Sequence, residues 1–273
     1  MIKDHIEYRL RIEQDLTPMN PRTEHDNAGV LALRHSRYEL GDVGGMEQVT
    51  RFLEPLMTQY IQEADFPGDL DDDQVICPKC RADDREPSDT CNRCDHSGWI
   101  SNPFEIEIEQ TFNGQNIVEL LQPNDLAHVG RIIEMLDEGG LLPEGTICKP
   151  VYLYDHSGLT VSHSPFSCGW DSGQVGWHLW MPDGSEELPD PDATLKAELE
   201  TYDQYLRGEV YGFVLEARPA VAFGFDGSPL KLADDDLWYV TESCWGFYGS
   251  DPKTNGIAEH VDGDLAPLLD ELE

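Results

Sequence analysis

The spacing of hydrophobic and polar positions changes several times along this chain. Residues 6–14 (IEYRLRIEQ) alternate and predict a strand. A polar loop, TPMNPRTEHDNAG, leads into VLALRHSRYEL, which reads as a second extended or buried segment closed by GDVGG. In residues 46–63, Met46, Val49, Phe52, Leu53, Leu56, Tyr60 and Ile61 recur at spacings of three and four. That spacing predicts one apolar face of a helix, which Pro55 is expected to kink or shift. DFPGDLDDDQ then reads as a loop or linker.

Further on, Phe104, Ile106 and Ile108 alternate with Glu105, Glu107 and Glu109, and Asn113-Gly114 signals a hairpin turn. PNDLAHVGRIIEMLDEGG predicts a helix, capped by Asn124 or Asp125 and stopping near Gly139. KPVYLYDHSGLTVSHS predicts two short strands around Gly158, and QVGWHLWM a strand stopped at Pro182. DATLKAELETYDQYLRG predicts a helix ended by Gly208. EVYGFVLEA and LWYVTESCWGFYG predict strands, with a polar excursion (AVAFGFDGSPLKLADDD) between them and a short helix in the acidic tail. Strands joined mostly by short turns predict an α+β fold, an antiparallel sheet with packed helices. Residues 1–70 form its first part, 71–103 an inserted knuckle, and 104–273 the strongly acidic remainder.

Charge changes this picture. Asp and Glu number 54 against 18 Lys and Arg, a net charge of −36. The surplus grows from −6 over residues 1–70 (13 acids, 7 bases) to −11 over 71–150 (17 and 6) and −19 over 151–273 (24 and 5). Direct nucleic-acid binding is disfavoured, because it needs Lys and Arg to displace counterions. An anionic membrane surface is disfavoured for the same reason. No apolar run is long enough to span a bilayer, and MIKDHIEYRL lacks a signal-peptide core, so an intracellular protein is expected. The acidity fits mimicry of DNA, since 36 charges match about 60 Å of duplex. It also fits a plain acidic protein with many solvated faces, and life in molar salt, where a Debye length of about 3 Å screens self-repulsion. Six lysines against twelve arginines suit life in molar salt.

Four of the seven cysteines form two CxxC pairs, Cys77 with Cys80 and Cys91 with Cys94, ten residues apart. In a reducing compartment this spacing predicts four thiolates around a structural Zn²⁺. The stretch resembles a zinc ribbon, or the knuckles of DnaJ-type chaperones. Its own Lys79, Arg81, Arg85 and Arg93 are offset by Asp83, Asp84, Glu86 and Asp89, so a staple or protein-contact knob is expected rather than a nucleic-acid grip.

Catalytic candidates are His156, Asp171, Asp203 and Cys168. Cys168 with His156 would make a nucleophile and its base. Against this, Asp155-His156-Ser157-Gly158 has the composition of a turn, and Cys168 beside Gly169 and Trp170 that of a buried small group. Trp170, Trp177, Trp180, Trp238 and Trp245 all follow residue 165 and offer either a binding platform or core.

The motifs PMNPRTEHDNAG, RYELGD, YLYDHSG, SPFSCGWDSGQVG, ETYDQYLRGEVYGF and ESCWGFYG occur in this order. Together they resemble a family of uncharacterised proteins encoded by tailed phages and mobile elements of bacteria. The resemblance covers about residues 6–43 and 150–250; the cysteine knuckle and much of the acidity are additions to it. It implies a viral or mobile-element context in the host cytoplasm. The residues matching its polar motifs are Asp26, Asn27, Asp42, His156, Ser157, Asp171, Ser172, Gln174, Asp203 and Glu242. The expected function is binding of a host or viral protein, as an acidic DNA mimic. A small enzyme around His156 and Asp171, or a halophilic virion or housekeeping protein, are the alternatives.

Replacing Cys91 and Cys94 with Ser is expected to remove bound zinc and lower the melting temperature. Unchanged metal content together with unchanged melting contradicts the zinc staple.

Overall fold

The computed structural model describes residues 1–3, 5–63, 74–76, 99–101, 129–182, 188–223, 228–230 and 237–272. The strands are β1 (Ile2–Lys3), β2 (Ile6–Gln14), β3 (Val30–Leu33), β4 (Gln74–Ile76), β5 (Trp99–Ser101) and β6 (Ile147–Asp155). They continue with β7 (Leu159–Ser162), β8 (Ser172–Trp180), β9 (Val210–Pro219), β10 (Ala222–Phe223), β11 (Pro229–Leu230) and β12 (Tyr239–Tyr248). The helices are α1 (Pro21–Glu24), α2 (Gly45–Glu63), α3 (Val129–Glu138), α4 (Pro191–Leu206) and α5 (Ile257–His260), with a final 3₁₀ turn at Ala266–Glu271. This is an α+β fold with two four-stranded sheets, ordered β1-β2-β9-β12 and β3-β8-β6-β7. The knuckle cysteines 77, 80, 91 and 94 and the FEIEIEQTF segment lie outside the described residues.

Two compact units are interleaved along the chain. The first comprises Met1–Asp26, Tyr154–Val161 and Ala197–Glu273. Its sheet is antiparallel, with β9 flanked by β2 and β12. Alternation along β2 places Leu10 opposite Leu215 and Ile12 opposite Phe213, on the face that buries Phe247 as well. Ile257 of α5 and Leu268 and Leu269 of the 3₁₀ turn complete that core.

The opposite face of the same strands carries charge. Glu7 lies across from Arg218, and Arg9 across from Glu216. Glu216 is almost fully buried and receives Arg9 Nε at 2.7 Å and Arg11 Nε at 3.0 Å. These partners, Arg9 first, hold its carboxyl below the usual carboxylate range despite burial. Arg218 Nε donates to Glu7 at 2.7 Å. The Arg9 and Arg218 guanidiniums also lie over the Trp238 ring, 4.3 and 4.5 Å from its centroid.

The second unit comprises Asn27–Leu153 and Ser162–Lys196. Here β3 pairs with β8 in the register Val30↔Leu179 to Leu33↔Gly176. A Cβ on Gly176 would stand 2.1 Å from the Ala32 carbonyl, so this crossing requires glycine. Val49, Leu53 and Met57 of α2 meet Val129, Ile132 and Leu136 of α3 over Ala32 and Leu179. The three-and-four spacing marks Val49 and Leu53 of the buried face, with Met46, Phe52 and Leu56 at its edge, but misses Met57; α2 runs on through Pro55. The GDVGG turn is tied back to β3: the Leu31 amide donates to the Asp42 carboxylate at 2.8 Å, and the Asp42 amide to the Leu31 carbonyl at 2.9 Å.

Replacing Ile132, which is fully buried, with Ala is expected to cost roughly 2–5 kcal/mol in denaturant unfolding. Val43→Ala, at an exposed site, is expected to stay within about 0.5 kcal/mol. Equal effects of the two contradict this core assignment.

Candidate functional site

The first unit holds His156 and Asp203. His156 lies exposed in the β6–β7 turn, its amide donating to the Gly158 carbonyl at 3.2 Å and its ring stacked 5.9 Å from Tyr154. Ser157 there adopts a left-handed φ of 61°, so the DHSG motif builds the turn expected of it. Asp203 of α4 accepts the Val161 amide at 2.8 Å and faces Arg207 at 3.4 Å, tying β7 to the helix. Burial raises its pKa against the pull of that amide and of Arg207.

Cys168 and Asp171 belong to the second unit. Asp171 is exposed, and Cys168 is half-buried, its carbonyl accepting the Ser172 hydroxyl. Gln174 donates to the Gly176 carbonyl at 3.4 Å. Glu242 is exposed on β12, in register with Leu215. These motif residues shape turns and strand ends as much as they offer chemistry. Burial pushes the Cys148 thiol up to about 12, away from the reactive thiolate form. Among the described residues, no group of three or more His, Cys, Asp or Glu is placed to hold a metal ion.

Two features escape the sequence pattern. One is a histidine pair. His178, fully buried on β8, lies 3.2 Å (Nδ1) from Nε2 of His163, so one ring donates the shared proton and the other accepts it. Gly29 leaves room for this: a Cβ there would stand 2.6 Å from His178 Nε2 and 2.1 Å from Leu195. Burial, then His178 and Lys149, hold His163 down to about 4, with Asp192 pulling the other way. Lys149 and Asp192 are themselves an ion pair at 2.5 Å.

The other feature is a cleft at the end of the first unit's sheet. Glu13 lies opposite Gly212, and Gly212 opposite Trp245, one row across three strands. With no side chain at 212, the indole of Trp245 lies on the strand; a Cβ would come 2.4 Å from its Cε3. A bulge between Trp245 and Phe247, with Gly246 at φ 90°, sets the angle at which Trp245 leaves β12. Residues 15–19 form the facing wall. The Asp15 carboxylate accepts the Thr17 amide at 3.0 Å, and the Tyr248 hydroxyl donates to the Met19 carbonyl at 2.7 Å. The cleft is open to solvent and has a volume of about 540 Å³. The only sequence signal for it is a glycine inside the strand EVYGFVLEA.

Other tryptophans divide. Trp177 packs on Gly130, Trp238 lies against the guanidiniums of Arg9 and Arg218, and Trp170 is 97% exposed.

The pH dependence of stability follows from His163. Its native pKa of about 4 lies below the 6.5 of an unfolded histidine, so the unfolded chain binds the extra proton between these values. This contribution to stability is present above about pH 6.5 and is lost as pH falls towards 4. His163→Gln is expected to flatten the slope of stability against pH in that window. A slope identical to wild type contradicts the assignment.

Comparison of the chain with protein-family models, with curated proteins and with solved structures finds no match.

Proposed function

We propose that this is a virus- or mobile-element-related protein acting inside the host cell, where it binds a basic, DNA-handling protein through DNA-like acidity. The observation that carries this is the net charge of −36, with −19 of it on residues 151–273. Among the described residues many cations are paired with carboxylates, and each such pair is neutral, so the surplus acids carry the net charge. Lys3 pairs with Asp264, Arg22 with Glu198, Arg131 with Glu134, Arg207 with Asp203 and Glu209, and Lys253 with Asp270. Surplus acids attract basic partners and accelerate encounter. Among the described residues, no helix is long and apolar enough to cross a membrane.

A structural zinc at Cys77, Cys80, Cys91 and Cys94 belongs to the same proposal. Thiolate pairs at CxxC spacing suit tetrahedral Zn²⁺. The antiparallel pairing of Ile76 with Trp99 brings together the two ends of the segment that carries them, as a stapled insertion requires.

The tagged protein, incubated with bacterial lysate, is expected to retain a DNA-binding protein at low salt. Molar salt, or an excess of duplex DNA, is expected to release it. A partner that duplex DNA does not displace contradicts mimicry, and so does the absence of any DNA-binding partner at low salt.

A further inference from the structure

The cleft beside Trp245 has a composition that selects its occupant. Its floor is an indole seated on bare backbone at Gly212 and 44% exposed. Two carboxylates, Glu13 and Asp15, line it. Leu16 and Met19, 85% and 56% exposed, form an apolar lip. An aromatic face beside carboxylates favours a cation, and an apolar lip suits the methylene stem of a long basic side chain.

The same sheet face already shows this chemistry. At its other end, Trp238 carries the guanidiniums of Arg9 and Arg218. Among the described residues, no cation lies over Trp245. Glu13 is held by Arg11 at 2.8 Å, but Arg11 is shared with Glu216, which leaves more acid than base along this edge. The local field points the same way. Burial and then the neighbouring Tyr205, Asp15 and Glu24 make the Tyr248 phenol harder to ionise than usual.

We infer that this cleft receives a lysine or arginine side chain of a protein partner, stacked on Trp245 and neutralised by Glu13 and Asp15. The inference rests on the proposal that the chain binds a basic protein, and it supplies a defined contact within an otherwise diffuse acidic surface. Trp245 gives an anchor of the kind that dominates binding energy at interfaces, and the surrounding acids steer the encounter.

The test uses the full chain and two capped tripeptides, Gly-Arg-Gly and its neutral isostere Gly-citrulline-Gly. Binding is read from the indole N–H resonance of Trp245, assigned by its loss in Trp245→Leu. The arginine peptide is expected to shift this resonance saturably, and the citrulline peptide to leave it in place. In Glu13→Gln/Asp15→Asn the affinity is expected to fall about 2- to 30-fold, the range for losing two partly exposed charge pairs while the Trp245 contact remains. Asn at 15 keeps an acceptor for the Thr17 amide, so this variant keeps the wall of the cleft. Equal shifts with both peptides, or undiminished affinity in the double variant, overturn the inference. The two proposals fail separately. Arginine-peptide binding with no DNA-binding partner in lysate leaves the cleft standing and removes the mimic. A partner captured equally by wild type and Trp245→Leu, with no peptide response, removes the cleft alone.

Discussion

Repulsion among surplus carboxylates is the constraint that every other part of this molecule has to meet. Fifty-four acids share one chain with eighteen bases, and among the described residues many of those bases stand against carboxylates. Where a carboxylate is buried, cations surround it: Glu216 lies between Arg9 and Arg11, and Glu198 accepts from Arg22, whose side chain is almost completely buried. Removing one partner of such a pair strands a charge in a poorly solvated place, which costs more than the pair itself contributes. Cations spent in this way are withdrawn from any contact with a polyanion.

Strand β9 is where the constraint meets the fold. One of its faces supplies Phe213 and Leu215 to the core. The other carries Glu216 and Arg218, both buried, into the ladder with Glu7, Arg9, Arg11 and Trp238. The ladder gives way at Gly212, where the missing side chain admits Trp245 and the cleft begins. A single strand thus changes from core partner to ion-pair ladder to aromatic seat in the space of a few residues, by alternation alone.

What the sequence disclosed, and what it hid, follows from the range of the interactions. The face of α2 was legible in part because Val49 and Leu53 repeat within one helix, although the spacing picked out Leu56 and not the fully buried Met57, and β2 because its alternation is local. The DHSG turn was legible for the same reason. The histidine pair was not, because His163 and His178 meet only through the course of the chain from β7 to β8 and the room left by Gly29. Nor was the row Glu13–Gly212–Trp245, which depends on the registers of two strand pairs and on a bulge at Gly246. The candidate residues His156, Asp203, Cys168 and Asp171 were read from polar motifs. Asp203 braces a strand, and His156 sits in a turn.

The central claim is that the surplus acids serve a partner, not folding in concentrated salt. Its most direct measurement is thermal melting of the isolated protein from millimolar to molar sodium chloride. A cooperative transition already present at the lowest salt, moving to higher temperature as salt screens the surplus carboxylates, is what this account predicts. A chain unfolded at low salt, and folding only as molar salt screens its carboxylates, would contradict it and mark the acidity as an adaptation to salt.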